Sequence, residues 1–158
     1  MKYNVRSLTK MALVAALYVV LSIALGNLSY GPIQFRVAEV LALLVLIDKK
    51  YIYAVTLGCA IANFNSTLGP IDIIVGTLST FLALESIYYL TRKVHSLVVK
   101  LCIAVLILVL FMVPISIELY YILHVPFWLT LLQTMIGEFV VTTIGAIGFY
   151  AFFNKRMK

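Results

Sequence analysis

Acidic residues are scarce in this 158-residue chain, which has only six Asp and Glu against 12 Lys and Arg. Charged residues of both signs make up 11% of it, where a soluble domain carries about a quarter. Cysteine is limited to Cys59 and Cys102, each inside an apolar run, with no CxxC spacing and no histidine partner. That excludes the usual thiol-redox and zinc patterns, and both read as small buried hydrophobes. The two histidines, His95 and His124, fall in loops and read as solvated or interfacial. No Walker, GxSxG or HExxH pattern occurs. No catalytic residue, metal ligand or cofactor is therefore expected. Nor does any Pro/Ser/Gly-rich or charged linker divide the chain, so residues 1–158 read as a single transmembrane domain.

What fills the sequence instead is apolar. Hydrophobic residues make up 64% of it and the mean hydropathy is +1.11, more than a soluble core of this size can bury. The chain reads as an all-α integral membrane protein. A helix needs about 20 apolar residues to cross the hydrocarbon, with about 17 tolerated. Six candidate spans result: roughly 8–28, 32–48, 51–67, 70–91, 97–121 and 126–153. The second starts with Pro32 in its first turn. It is short enough for its central run, Val40 to Ile47, to be a re-entrant piece instead. The first follows Lys2, Arg6 and Lys10 like a leader, but its apolar stretch is long and it reads as a span.

Six spans place both termini on one side. Eleven of the twelve basic residues then fall on that side, and only Arg36 falls on the other. By the positive-inside bias that side is the cytoplasm. Orientation accounts for the net charge of +6, and a nucleic-acid partner is not needed.

The informative charges are those the bias leaves unexplained. Arg36, Glu39, Asp72, Glu118 and Glu138 lie in the outer half, four acids against one base. Ionisable groups within the membrane are costly and usually face the bundle interior at functional positions. An acidic outer half favours a cationic or donor-rich ligand from outside over an anion. Glu138 follows the start of its helix by about 18 Å, near mid-bilayer. Its face is small (Thr134, Gly137, Thr142, Gly145), and suits either a structural glutamate beside a close neighbouring helix or the floor of a pocket. Arg36 and Glu39 share a face at i,i+3; they form either an interfacial ion pair or a ligand carboxylate with its orienting arginine. Asp72 is either a helix N-terminal acid favoured by the dipole or a site residue. Glu118 is either interfacial or part of the pocket. Asn63 could bond backbone or offer a donor–acceptor pair to a heterocycle edge. Trp128, among the outer-loop aromatics with Tyr30, Tyr120, Tyr121 and Phe127, is either belt or stacking platform. On the first helix Ala12, Ala15 and Ala16 give a small-xxx-small stripe for close packing, internal or against another membrane subunit.

Three blocks, "YGPIQFRVAEVLALL", "GCAIANFNSTLGPIDIIVGTLST" and "VPFWLTLLQTMIGEFVV", resemble the QueT family. The resemblance spans residues 8–153. It implies a substrate-binding (S) component of an energy-coupling factor transporter, a six-helix bundle associated with queuosine precursors. Uptake would be driven by partners, a coupling transmembrane protein and two ATPases, so the chain itself would be no enzyme. The implied ligand is queuine or an aminomethyl-deazaguanine, and the alanine stripe would dock the coupling protein. A guanine-like edge presents adjacent N–H donors to a carboxylate, and an aminomethyl cation wants a second one; the sequence leaves open which acid takes which. The alternatives are an S component for another small nitrogenous vitamin, or a structural or channel-forming membrane protein.

Overall fold

The computed structural model describes residues 4–26, 35–66 and 68–153. Among the described residues the chain is all helical, with no strand. In chain order the elements are α1 (Val5–Ala24), a 3-10 helix (Val37–Leu46), α2 (Lys50–Asn63), α3 (Pro70–Thr91), α4 (Leu97–Leu110), α5 (Met112–Leu123) and α6 (Phe127–Phe153). Four stretches are long and apolar enough to cross a membrane: α1, α3, the run Leu97–Leu123 formed by α4 and α5, and α6. The chain is thus a multi-pass membrane protein.

Punctuation residues set several boundaries. Gly69, with φ of 76°, occupies a left-handed backbone that favours glycine, and Pro70 then supplies a helix-ready first position. Pro126 likewise precedes α6, just after His124 in left-handed geometry. The expected single helix over 97–121 is broken at Phe111. Pro114 explains the break: it has no N–H to give the carbonyl of Leu110, and its ring crowds that turn.

The expected α-helix over 32–48 is instead a ten-residue 3-10 helix over 37–46; the Pro32 start lies outside the described residues. Glu39 N–H donates to the Arg36 carbonyl at 2.8 Å, an i→i+3 bond. Three residues per turn stack every third side chain, and Arg36, Glu39, Ala42 and Val45 form one wholly buried row. At about 2.0 Å per residue this helix spans about 20 Å. The third expected span shortens to α2, fourteen residues and about 21 Å. Both are shorter than the ~30 Å hydrocarbon core.

The core is packed from α1, the 3-10 helix and α2 to α4, around Tyr18, Leu43, Ile52, Leu84 and Ile87. A smaller cluster, Met112, Ile115 and Leu119, seats α5. α1 lies directly on α2: a Cβ on Gly58 would come within 2.8 Å of the Tyr18 Cβ and 2.9 Å of the Ala15 carbonyl. α6 lies against the 3-10 helix in the same way, with Gly145 facing Val40. Of the two readings of the small α6 face, a close neighbouring helix is the one found at Gly145.

Candidate functional site

The six acids divide into two groups. Asp48 and Glu85 lie near the start of α2 and the end of α3, where each meets a lysine: Lys50 Nζ is 2.7 Å from Asp48 and Lys49 Nζ is 3.4 Å from Glu85. The side-chain hydrogen bond from Lys50 holds the Asp48 carboxyl below its ordinary range. Lys49 also lies over Tyr88 and Arg92 over Tyr89, each 5.0 Å from the ring centre.

The other four acids are all buried. The structure brings Arg36, Glu39, Asn63, Asp72, Glu118 and Glu138 into the interior of the bundle. Glu138 is 0% exposed, Glu39 2% and Glu118 5%. Arg36 Nη1 stands 3.9 Å from Glu39 Oε1, and the same oxygen accepts the Tyr18 hydroxyl at 2.8 Å. The 3-10 geometry is what stacks Arg36 one turn before Glu39. Arg36 also lies within electrostatic reach of Asp72, Glu118 and Glu138. One guanidinium therefore serves four carboxylates, an excess of three negative charges when all are ionised.

Asp72 sits in the first turn of α3, where backbone N–H groups favour an acid. Asn63, the last residue of α2, donates its side-chain amide to the Asp72 carbonyl at 3.0 Å and so ties the two helices together. Gly76 is the meeting point. A Cβ there would collide with the Asn63 amide and come 3.2 Å from Asp72 Oδ1 and 3.6 Å from Arg36 Nη2. Gly76→Ala gains helix propensity of about 1 kcal/mol, yet it is expected to displace Asn63 and destabilise the protein by about 1–3 kcal/mol net. Thermal unfolding of the purified variant checks this; a melting point at or above wild type would show that the junction has slack.

On α5 and α6, Ser116 and Thr134 share a hydrogen bond of 2.9 Å. It holds the two helices together between Glu118 and Glu138. All four carboxylate oxygens of these glutamates are buried and have no hydrogen-bond partner among the described residues. Glu39 Oε2 is in the same position. An uncompensated buried carboxylate is expensive, so each needs a proton, a cation or a donor.

Beside Arg36 and Glu39, against Ser79 and Thr80, is a void of about 10 Å³, room for about one water. The polar cluster is packed shut in this conformation. A larger cavity of about 520 Å³ runs between α4 and α6, lined by residues such as Leu101, Leu106, Phe139 and Ile147. Its lining is apolar and shares no residue with the cluster, so it offers nothing for a polar ligand.

Trp128 is not brought to the cluster. It is 79% exposed and packs edge-on against Phe127 at 5.1 Å. Phe127 in turn meets Tyr120 at 6.3 Å, giving a surface band of aromatics. The reason is helical phase: the buried face of α6 carries Thr130, Thr134, Glu138 and Thr142, and Trp128 is turned about 200° from Thr130. Of the alanine stripe, Ala15 is buried against α2, whereas Ala12 and Ala16 are exposed. The expected common docking face therefore reduces to Ala12 and Ala16, because Ala15 is spent on internal packing.

Several polar residues at the cluster escape the sequence reading: Tyr18, Thr80 and Ser116, the partner of Thr134. Cys59, read there as a plain hydrophobe, contacts the Thr80 hydroxyl at 3.4 Å and the Asn63 amide at 3.7 Å. Tyr18 left a usable signal. It lies mid-helix, far from the interface where membrane tyrosines gather, in register with Ala15 and Ser22, the other buried residues of α1.

Comparison with known proteins places this architecture. No solved structure matches the chain. The Queuosine precursor transporter QueT of Lactococcus lactis subsp. cremoris (strain MG1363) is 39% identical over 157 residues, covering 92% of this chain and 90% of the relative. Residues 8–155 match the QueT transporter family. With both matches running nearly end to end, the chain belongs to the QueT transporter family.

Proposed function

We propose that this chain is the substrate-capturing component of an energy-coupling factor uptake system, with a deazaguanine-type queuosine precursor as its ligand. It forms a single transmembrane domain that crosses the bilayer six times, with both termini in the cytoplasm. Eleven of the twelve basic residues then lie on the cytoplasmic side. ATP hydrolysis belongs to partner ATPases, and a coupling membrane protein docks on α1. Transport itself follows from the family, and the relative's name supports the ligand class.

The observation that carries the reading is the buried cluster of four carboxylates with one guanidinium. Such a site lacks positive charge and hydrogen-bond donors. A guanine-like edge supplies adjacent N–H donors, and an aminomethyl arm supplies a cation. Because the cluster is closed here, the ligand binds by opening it.

Two measurements test the proposal. Titration calorimetry of the detergent-solubilised protein should show binding of 7-aminomethyl-7-deazaguanine and none of thiamine, biotin, folate or riboflavin. Uptake by cells should require co-expression of the coupling protein and ATPases. Absence of deazaguanine binding would sink the ligand, and uptake by the chain alone would sink the partner-driven mechanism.

A further inference from the structure

We infer that the four acids divide their work, with Glu118 and Glu138 contacting the ligand, Glu39 holding Arg36, and Asp72 standing beside Arg36 at the Gly76 junction. The inference rests on the function proposed above and assigns the ligand's chemical groups within that site.

The division follows from what each carboxylate already does. Glu39 commits Oε1 to both the Tyr18 hydroxyl and Arg36, which ties α1 to the 3-10 helix. Asp72 belongs to the α2–α3 junction, with Asn63 on its carbonyl and its own Oδ1 against Gly76. The protein holds Glu39 through its carboxylate and Asp72 through its backbone. Glu118 and Glu138 are as deeply buried, yet neither spends an oxygen on a protein donor. Their helices are held together next to them by Ser116 and Thr134, so the two carboxylates are positioned but unused. Two buried, oriented acceptors with four free oxygens fit a ligand that brings donors.

Their surroundings separate the two roles. Glu138 is the fully enclosed one and is flanked on its own helix by Thr134, Gly137 and Thr142. Once the cluster opens, that small-residue floor lets a flat ring approach closely enough to set two adjacent N–H groups on one carboxylate. Glu39 is within electrostatic reach of Glu138 and is already compensated by Arg36 at 3.9 Å. Asp72 and Arg36 are within electrostatic reach of Glu118, and the close ion pair of Arg36 is with Glu39. Two carboxylates near one another favour a full positive charge over a neutral donor. Glu138 therefore receives the heterocycle edge, and Glu118 receives the ammonium of the side arm.

Paired ligands test this on the full-length protein in detergent. 7-Aminomethyl-7-deazaguanine carries both groups, and 7-deazaguanine carries the edge without the cation. Glu118→Gln should weaken the aminomethyl compound about 10–100-fold, the size of a lost charge-assisted contact, and leave 7-deazaguanine unchanged. Glu138→Gln should weaken both ligands by about that factor. If Glu138→Gln does not fold, Glu138→Asp, which keeps the charge and withdraws the carboxylate, should also weaken both. The assignment is overturned if Glu118→Gln weakens both ligands alike, or if Glu118→Gln and the folded Glu138 variant bind both as the wild type does. A wild-type protein that binds neither compound would overturn the proposed function itself, which is a different result.

Discussion

Arg36→Gln is expected to be the most damaging single substitution in the polar cluster, lowering stability by about 3–5 kcal/mol, the typical cost of breaking a buried ion pair from one side. Arg36 is the cation within reach of Glu39, Asp72, Glu118 and Glu138. Glutamine keeps a donor but removes the charge, leaving four buried acids to repel one another in a low-dielectric interior. At about 2–4 °C per kcal/mol for a chain of this size, the melting point in detergent should fall by roughly 6–20 °C. Two controls separate charge from packing. Arg36→Gln combined with Glu39→Gln should recover a large part of the loss, since the neutral pair no longer strands a charge. Arg36→Lys should fall between, because a lysine restores the charge without the guanidinium fork that several carboxylates can share. A melting curve for Arg36→Gln that superimposes on wild type would mean that Arg36 merely neutralises Glu39 at an interface and organises nothing.

The same pair of residues poses a question that the sequence leaves open. The i,i+3 spacing of Arg36 and Glu39 puts them on one face, whether that face is interfacial or internal. The structure buries both and shows how: the helix is 3-10 rather than α, so the row is in register every three residues. The sequence could not reveal that. Over "VAEVLALLVL" nearly every residue is apolar, so a period of 3.0 leaves no polar pattern to tell it from one of 3.6. Where punctuation is strong the reading is close: α3 runs over the expected 70–91, fixed by Gly69 and Pro70 at its start. Where punctuation is embedded in hydrophobicity the reading fails, and the break at Phe111 is the example. Pro114 was visible, but its missing hydrogen bond acts three to four residues upstream, inside an unbroken apolar run.

The same contrast holds at the cluster. Arg36, Glu39, Asp72, Glu118 and Glu138 stand out because a charge in hydrocarbon is costly wherever it points. Tyr18 and Thr80 do not stand out, since a hydroxyl carries little such cost and can satisfy itself on its own helix. Thr91, for example, donates to the Ile87 carbonyl at 2.6 Å. The mid-helix position of Tyr18 sets it apart from Tyr121 of the exposed aromatic band, but only tertiary placement shows that it donates across helices to Glu39.

Placement also sharpens the second large prediction, at the proposed docking face of α1. Ala12→Leu together with Ala16→Leu should abolish copurification with the coupling membrane protein and leave ligand affinity within about twofold. Ala12 and Ala16 are one turn apart on an exposed face of α1, and small side chains permit the close backbone approach on which helix association in lipid depends. Two leucines push a docking helix away. They do no harm to the isolated chain, because a lipid-facing leucine is as well solvated as the leucines already exposed on α1, Leu13 and Leu17. Ala15→Leu is the informative contrast. Ala15 is buried where α1 rests on Gly58, so the added bulk should destabilise the protein by about 1–3 kcal/mol through overpacking. Through Tyr18, three residues on, it should also disturb the hydrogen bond to Glu39 and weaken the ligand. A docking defect without a binding defect at 12 and 16, and a loss of stability and ligand affinity at 15, would assign the two sides of α1. If the Ala12→Leu, Ala16→Leu variant still copurifies intact, the coupling protein docks elsewhere on the bundle.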